Sequence, residues 1–221
     1  MSSHERAEIA KQPNSEVLVL ASASPRRRDI LDRAGIVHEV MPADIDERPL
    51  ADESPIEMAL RLAREKALAV AARLAPKPAR WVLAADTIVV LDGDVLGKPD
   101  DDDHACRMLT RLTGRRHRVV SGLALVRTGL DHVWPLCVTS DVTMRAASDE
   151  EIRAYVATGE PRDKAGSYGI QGEGGRRFVT EVDGSETNVM GLPLGETCAL
   201  LERAHAELPA LERAHARRAG R

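Results

Sequence analysis

Aromatic residues are almost missing from this chain: two Trp, two Tyr and one Phe in 221 residues. That scarcity removes the stacking platforms on which single-strand nucleic-acid binders depend. It also leaves Leu, Val, Ala and Met to build the core. Cysteine is scarce too. Cys106, Cys137 and Cys198 are odd in number and widely spaced, with no C-x-x-C, so neither a disulfide framework nor a thiolate zinc site is indicated. Charge of one sign is not in excess: 31 basic against 35 acidic residues give a net charge of −4, with no global basic field to attract nucleic acid. No apolar run approaches membrane-spanning length, and the opening MSSHERAEIAKQPNS has no hydrophobic stretch of the secretion-signal kind. These absences predict a cytoplasmic protein with reduced thiols and with neither a membrane nor a nucleic-acid partner. Residues 1–15 read as a flexible leader, 16–207 as a single domain and 208–221 as a basic tail.

What is present begins with VLVLASASPRRRDIL at 17–31. Val17 to Ala21 is a short apolar run, the mark of a strand buried on both faces. Ser22 and Ser24 supply hydroxyls, Pro25 suits the first turn of a helix, and Ser24 reads as its N-cap. Arg26, Arg27 and Arg28 then crowd a helix start whose dipole prefers anions. The residues alone allow two readings, a capped helix with solvated arginines or a phosphate site made of N–H groups, hydroxyls and guanidinium forks.

Further along, Gly35 reads as a helix end and IVHEVMP as a second strand. ADIDER collects Asp44, Asp46 and Glu47 in what reads as a solvated loop. Ser54 to Ala75 is the most secure helix, opened by a Ser54/Glu57 capping box, with Ile56, Ala59, Leu60, Ala63, Ala67 and Leu68 as its buried stripe and Lys66 at the border. WVLAAD at 81–86 is an apolar strand ending on an acid. A carboxylate at the carboxyl end of a buried strand sits where open α/β sheets place ligands, and it needs a cationic or metal partner, so Asp86 is the leading catalytic candidate. Thr87 faces the opposite way, and IVVL continues the strand. Asp92-Gly93 signals a hairpin that carries Lys98 back. GDVLGKP is not a P-loop, because its glycines are one residue too close and Pro99 stands where Ser or Thr should bind magnesium.

Asp100 to Asp103 read as the anionic first turn of a helix closed by Gly114, and Arg115 to Arg118 as a solvated turn. VVSGLALV and HVWPLCVTSDVTM read as long antiparallel strands, and Ser148/Glu151 as a second capping box. In the glycine-rich PRDKAGSYGIQGEGG, Tyr168 and Gln171 have recognition potential, the Gln amide being able to read a base edge. RRFVTEV reads as a strand, and a last helix opens at Pro193 with Leu194, Cys198, Leu200 and Leu201 on its buried side. LERAHA occurs twice, at 201–206 and 211–216, and Pro209 between the copies predicts a ragged end.

LASASPRRRDIL at 20–31, LAREKA at 62–67, AADTIVVLDGDVLGKP at 84–99, DKAGSYGIQG at 163–172 and VMGLPL at 189–194 resemble, in order, the signatures of the Maf family of nucleoside triphosphate pyrophosphatases. The resemblance implies an α/β fold with a mixed, partly antiparallel twisted sheet flanked by helices, in two lobes around a central cleft. Ser22, Ser24, Arg26, Arg27, Lys66 and Lys98 would bind the phosphates of a nucleoside triphosphate. Asp86, with Glu47, would hold Mg2+ or Mn2+ or activate water, and the two roles of Asp86 stay open. Water would attack the α-phosphorus and pyrophosphate would leave. Arg27, Thr87 and Gln171 resemble the branch that acts on dTTP and UTP. The rivals are a pyrophosphatase for 7-methyl-GTP or a modified pyrimidine nucleotide, and a non-catalytic regulator of septum formation. A homodimer is compatible with the resemblance.

Overall fold

The computed structural model describes residues 17–74 and 78–219, so the leader expected over 1–15 lies outside the described residues. Its elements are β1 (Leu18–Leu20), α1 (Pro25–Arg33), β2 (His38–Val40), α2 (Pro55–Leu74), β3 (Trp81–Leu91), β4 (Asp94–Leu96) and α3 (Asp102–Leu112). There follow β5 (Arg116–Arg127), β6 (Val133–Met144), α4 (Asp149–Val156), two short 3-10 turns, α5 (Glu173–Arg176), β7 (Val179–Asp183), α6 (Glu186–Val189) and α7 (Leu194–Ala219). The strands form one mixed sheet in the order β2-β1-β3-β5-β6-β7, with β4 hairpinned onto β3. β1 is parallel to β2 and β3, and the remaining pairings are antiparallel. The mixed α/β architecture agrees with the expectation.

β3 is the spine, and its sequence explains the two lobes. Side chains alternate across a strand. On one face Trp81, Leu83 and Ala85 enter a core with Ile30, Leu31 and Leu200, whereas Val89 and Leu91 enter a second core with Leu109, Tyr155 and Phe178. On the other face Val82 and Ala84 pack with Ala63, Ala67 and Val70 of α2, and Ile88 meets Ala59 and Val120. Asp86 and Thr87 are the two polar residues in the eleven-residue WVLAADTIVVL, and the cores divide there. As the continuing IVVL predicts, the strand runs on past Asp86 to Leu91, so the acid lies in its middle and not at its end. β5 pairs with it continuously from Trp81 to Val90, which carries the backbone past the acid. β1, by contrast, reaches only Leu83 of β3, so Asp86 stands beyond the end of a parallel neighbour although it is central in its own strand.

Local signals account for most boundaries. α1 ends at Gly35, whose φ of 71° lets its N–H reach the Asp32 carbonyl at 3.0 Å while Ile36 N–H reaches that of Leu31 at 3.0 Å. Asp92 and Gly93, at φ 55° and 92°, make the tight turn between β3 and β4. Both capping boxes form: Ser54 and Glu57 exchange bonds of 2.9 and 3.3 Å, and Ser148 and Glu151 do so at 3.0 and 3.2 Å.

Four expectations fail for tertiary reasons. The buried face of α2 is Met58, Ala59, Leu62, Ala63, Lys66, Ala67 and Val70, while Ile56 and Leu68 are exposed, because the stripe is rotated toward the sheet by the contact at Ala59. Arg115 to Arg118 is not a solvated turn. Arg116 opens β5 and pairs with Asp141 and Asp183, Arg115 pairs with Asp92, and His117 is buried with its Nε2 2.7 Å from the Tyr168 hydroxyl. In RRFVTEV the strand begins only at Val179, Arg176 closing α5 and Arg177 capping it. The C-terminal stretch is not ragged. α7 runs through Pro209 to Ala219, since Leu208 and Leu211 pack on the first core and offset a proline cost of about 3 kcal/mol.

Gly122 is the register partner of Asp86, and a Cβ built there would lie 2.2 Å from the Ala59 carbonyl oxygen. Backbone cannot step aside, so Gly122→Ala should lose more than about 2 kcal/mol in a denaturant melt. Gly195→Ala, in the first turn of α7 with nothing within 4 Å, should be neutral or gain up to about 1 kcal/mol. His117 provides a pH test. Burial lowers its pKa from 6.5 to about 4, against the opposing pull of Asp141. The unfolded chain takes up this proton below pH 6.5 and the native one does not, so stability is lost as pH falls from 6.5 toward 4. A melt series should show His117→Gln flatter than the parent by roughly 3 kcal/mol across that window.

Candidate active site

Where the cores divide, the lobes enclose a cleft of about 680 Å³. Ser22, Ser24, Arg26, Arg27, Glu47, Lys66, Asp86, Thr87, Lys98 and Gln171 all line it. They arrive from the turn before α1, the loop after β2, the middle of α2, the waist of β3, the end of the β3–β4 hairpin and the glycine-rich segment.

The α1 end is open. Ser24 holds the N-cap position with extended backbone, yet its hydroxyl makes no cap hydrogen bond, contrary to expectation. Ser22 is buried, and its Oγ accepts the Ser24 N–H at 3.2 Å and Arg27 Nη1 at 3.0 Å, leaving the helical N–H groups unbonded by any side chain among the described residues. The first turn of α1 therefore has no side-chain cap and no acid, an arrangement that suits an incoming anion.

Arg27 is fixed by neutral oxygens. Its Nε donates to the Gly191 carbonyl at 2.8 Å and its Nη2 to Thr87 Oγ1 at 3.3 Å. Thr87 Oγ1 lies 2.8 Å from Ser121 Oγ and 3.2 Å from the Gly191 carbonyl oxygen. Burial pulls the Arg27 pKa below its ordinary value, and the charge of Asp86 opposes that pull. A guanidinium aimed and only partly neutralised is suited to phosphate.

On the other face of β3, Lys66 Nζ stands 2.6 Å from Asp86 Oδ1 and 2.8 Å from Glu47 Oε1. The expectation placed Lys66 at the border of the buried stripe. It is instead 8 % exposed, within that stripe, because two carboxylates pay the desolvation of its charge. Partial burial pushes the Glu47 carboxyl up, but the hydrogen bond and charge of Lys66, helped by Lys98 and Arg27, hold it below the usual range. Lys98 and Gln171 are exposed at the rim and make no side-chain hydrogen bond among the described residues.

The sequence reading missed Asp163 and Lys164. Arg26 Nη1 donates to Asp163 Oδ2 at 2.7 Å and Nη2 to the Asp163 carbonyl at 3.2 Å, while Lys164 Nζ meets Asp163 Oδ1 at 2.8 Å. Burial pushes the Asp163 carboxyl up, but its bonds to Lys164 and Arg26 outweigh this and hold it at about 2. The signal was available: an acid and a base open DKAGSYGIQG. Tyr168, to which the sequence gives recognition potential, borders the cleft, but its hydroxyl is engaged by His117 and it is 5 % exposed. Its aromatic body is spent on the core.

The cleft lining carries five cations, Arg26, Arg27, Lys66, Lys98 and Lys164, against the three carboxylates Glu47, Asp86 and Asp163. That surplus favours a polyanion. Among the described residues no three His, Cys, Asp or Glu side chains cluster as a self-sufficient metal site. Glu47 and Asp86 nevertheless bring hard oxygen donors to one point, and one or two carboxylates completed by water and phosphate oxygens is how Mg2+ is usually held. The donor set fits such an ion.

Known proteins match this chain along nearly the whole domain. A family model described as Maf-like protein matches residues 17–204. The dTTP/UTP pyrophosphatase of Myxococcus xanthus (strain DK1622) is 54% identical over 193 residues, covering 87% of this chain and 95% of that protein. That of Anaeromyxobacter dehalogenans (strain 2CP-C) is 53% identical over 194 residues, 87% of this chain and 96% of its own length. The Vibrio cholerae dTTP/UTP pyrophosphatase is 48% identical over 186 residues, 84% and 97% respectively. A match that starts at β1, ends within α7 and spans every wall of the cleft shows that the chain belongs to the Maf family.

Proposed function

We propose that this chain hydrolyses dTTP and UTP to the nucleoside monophosphate and pyrophosphate; the relatives it matches are named dTTP/UTP pyrophosphatase. One observation carries the chemical part: a carboxylate at the waist of β3, held by a buried lysine, shares a cleft with an uncapped helix start and an arginine pinned by neutral oxygens.

The triphosphate lies with its phosphates toward the α1 turn. Arg26, Arg27 and Lys98 bind its oxygens, and the Ser22 hydroxyl keeps Arg27 in line. Asp86 offers Lys66 its Oδ1, and its Oδ2 accepts a proton from the water that attacks the α-phosphorus. As the bond to the β-phosphate breaks, negative charge moves onto the leaving pyrophosphate, where the fixed cations meet it without reorganising. Mg2+ or Mn2+, held by Glu47 and Asp86, would add positive charge on the phosphate oxygens when bound. Gln171 at the rim reads the base. No helix among the described residues is long and apolar enough to cross a membrane, and the three thiols are unpaired, which supports a cytoplasmic place of action.

Pyrophosphate release by the purified protein tests this. Rates with dTTP and UTP should exceed those with ATP, GTP, CTP and 7-methyl-GTP; equal rates on all would defeat the substrate assignment. Chelation should abolish release, and either Mg2+ or Mn2+ should restore it. Asp86→Asn should lower kcat at least about 100-fold while the thermal midpoint stays close to the parent's, because Glu47 still partners Lys66.

A further inference from the structure

Arg26 and Asp163 belong to different lobes. Arg26 stands on α1, whose Ile30 and Leu31 are buried in the first core, and Asp163 closes a turn whose neighbour Ala165 packs on the second. Both arms of the Arg26 fork are fastened to Asp163, at 2.7 Å to the carboxylate and 3.2 Å to the carbonyl oxygen. The other carboxylate oxygen takes Lys164 Nζ at 2.8 Å, and that ammonium also reaches the Glu160 carbonyl oxygen. One carboxylate thus ties together a cation from each side of the cleft. Arg26 needs such an anchor: the first turn of α1 contains no acid, the dipole there repels a cation, and Arg26 has no other hydrogen-bond acceptor among the described residues. Lys164 in turn underlies the glycine-rich segment, since a Cβ on Gly169 would lie 2.8 Å from its Cε. Gln171 follows two residues later.

We propose that Asp163 is a positioning residue that docks the Gln171-bearing segment onto α1 and aims Arg26 at the phosphates, so that both ends of the nucleotide are gripped by one connected unit. This rests on reading the cleft as a nucleoside triphosphate site. With 58 % of its side chain exposed, Asp163 contributes little to global stability, and its effect falls on binding.

A double-mutant cycle separates this from a merely structural contact. Parent, Arg26→Ala, Asp163→Ala and the double variant are titrated with inorganic pyrophosphate by calorimetry. Loss of the Asp163 carboxylate should weaken binding about tenfold in the parent and less than about twofold when Arg26 is already absent. With dTTP the same change should raise KM about tenfold and leave kcat within about twofold, and Asp163→Glu should recover part of the loss. Equal weakening in both backgrounds, tighter binding without the carboxylate, or a parent that does not bind pyrophosphate would overturn the proposal. A parent that shows the coupling but releases pyrophosphate from no triphosphate would defeat the hydrolase reading alone. A parent active on dTTP without the coupling would defeat the positioning role alone.

Discussion

A lysine and an aspartate meeting inside the sheet determine much of what surrounds them. Asp86 sits in a run of apolar side chains where an unpaired carboxylate would be intolerable, and Lys66 removes that objection at 2.6 Å. For the ammonium to arrive, α2 must lie against the sheet. Gly122, opposite Asp86, leaves the space in which the α2 backbone comes down at Ala59. Ala59 and Lys66 are seven residues apart, about two helical turns, and so share a face. The rotation of α2 away from its simplest apolar stripe follows: the helix presents the face that contains a lysine and leaves Ile56 and Leu68 in water.

Two kinds of cation result, suited to different tasks. Lys66 is saturated by Asp86 and Glu47, and its place is to hold two carboxylates at a set separation. Arg27 is held by a serine, a threonine and a carbonyl, acceptors that orient it without a formal opposing charge. A ligand phosphate therefore gains more from Arg27 than from Lys66, whose charge is already answered. Asp86 and Thr87, adjacent in sequence, organise these two groups from opposite faces of β3, and the strand's alternation sorts them.

Much of this was legible before any coordinates. The hairpin at Asp92-Gly93, the two capping boxes, the helix stop at Gly35 and the long antiparallel pair have local causes, and local causes are visible in a sequence. Arg26, Arg27 and Asp86 could be named because arginines at a helix start and an acid in a buried strand each contradict their surroundings, whereas Glu47, Lys66 and Lys98 owed their roles to the resemblance to the Maf family. What could not be read was non-local. Nothing near Arg116 shows Asp141 and Asp183 waiting across the sheet, and the packing of Leu208 and Leu211 that sustains a helix through Pro209 depends on a distant core. The Ser24 cap also failed to form. Ser22, two residues earlier, bonds the Ser24 N–H and Arg27, and no side chain among the described residues reaches the first-turn N–H groups of α1, so a helix start that carries a good capping residue is nevertheless left open.

A polar pair at the middle of a continuous strand also explains how the two lobes can hold a cleft to a fixed width. Had the chain broken at Asp86, the acid would ride on a loop and its distance to Arg27 would vary with it. Here the backbone passes through the site paired to β5 on both sides of Asp86, so the carboxylate and the Thr87 hydroxyl are as rigid as the sheet. The adjustable parts lie outside that frame: the loop bearing Glu47, the hairpin end bearing Lys98 and the glycine-rich segment bearing Gln171, all exposed at the rim. Such a division suits a reaction in which attack at phosphorus demands tight alignment while the nucleotide must still enter and leave.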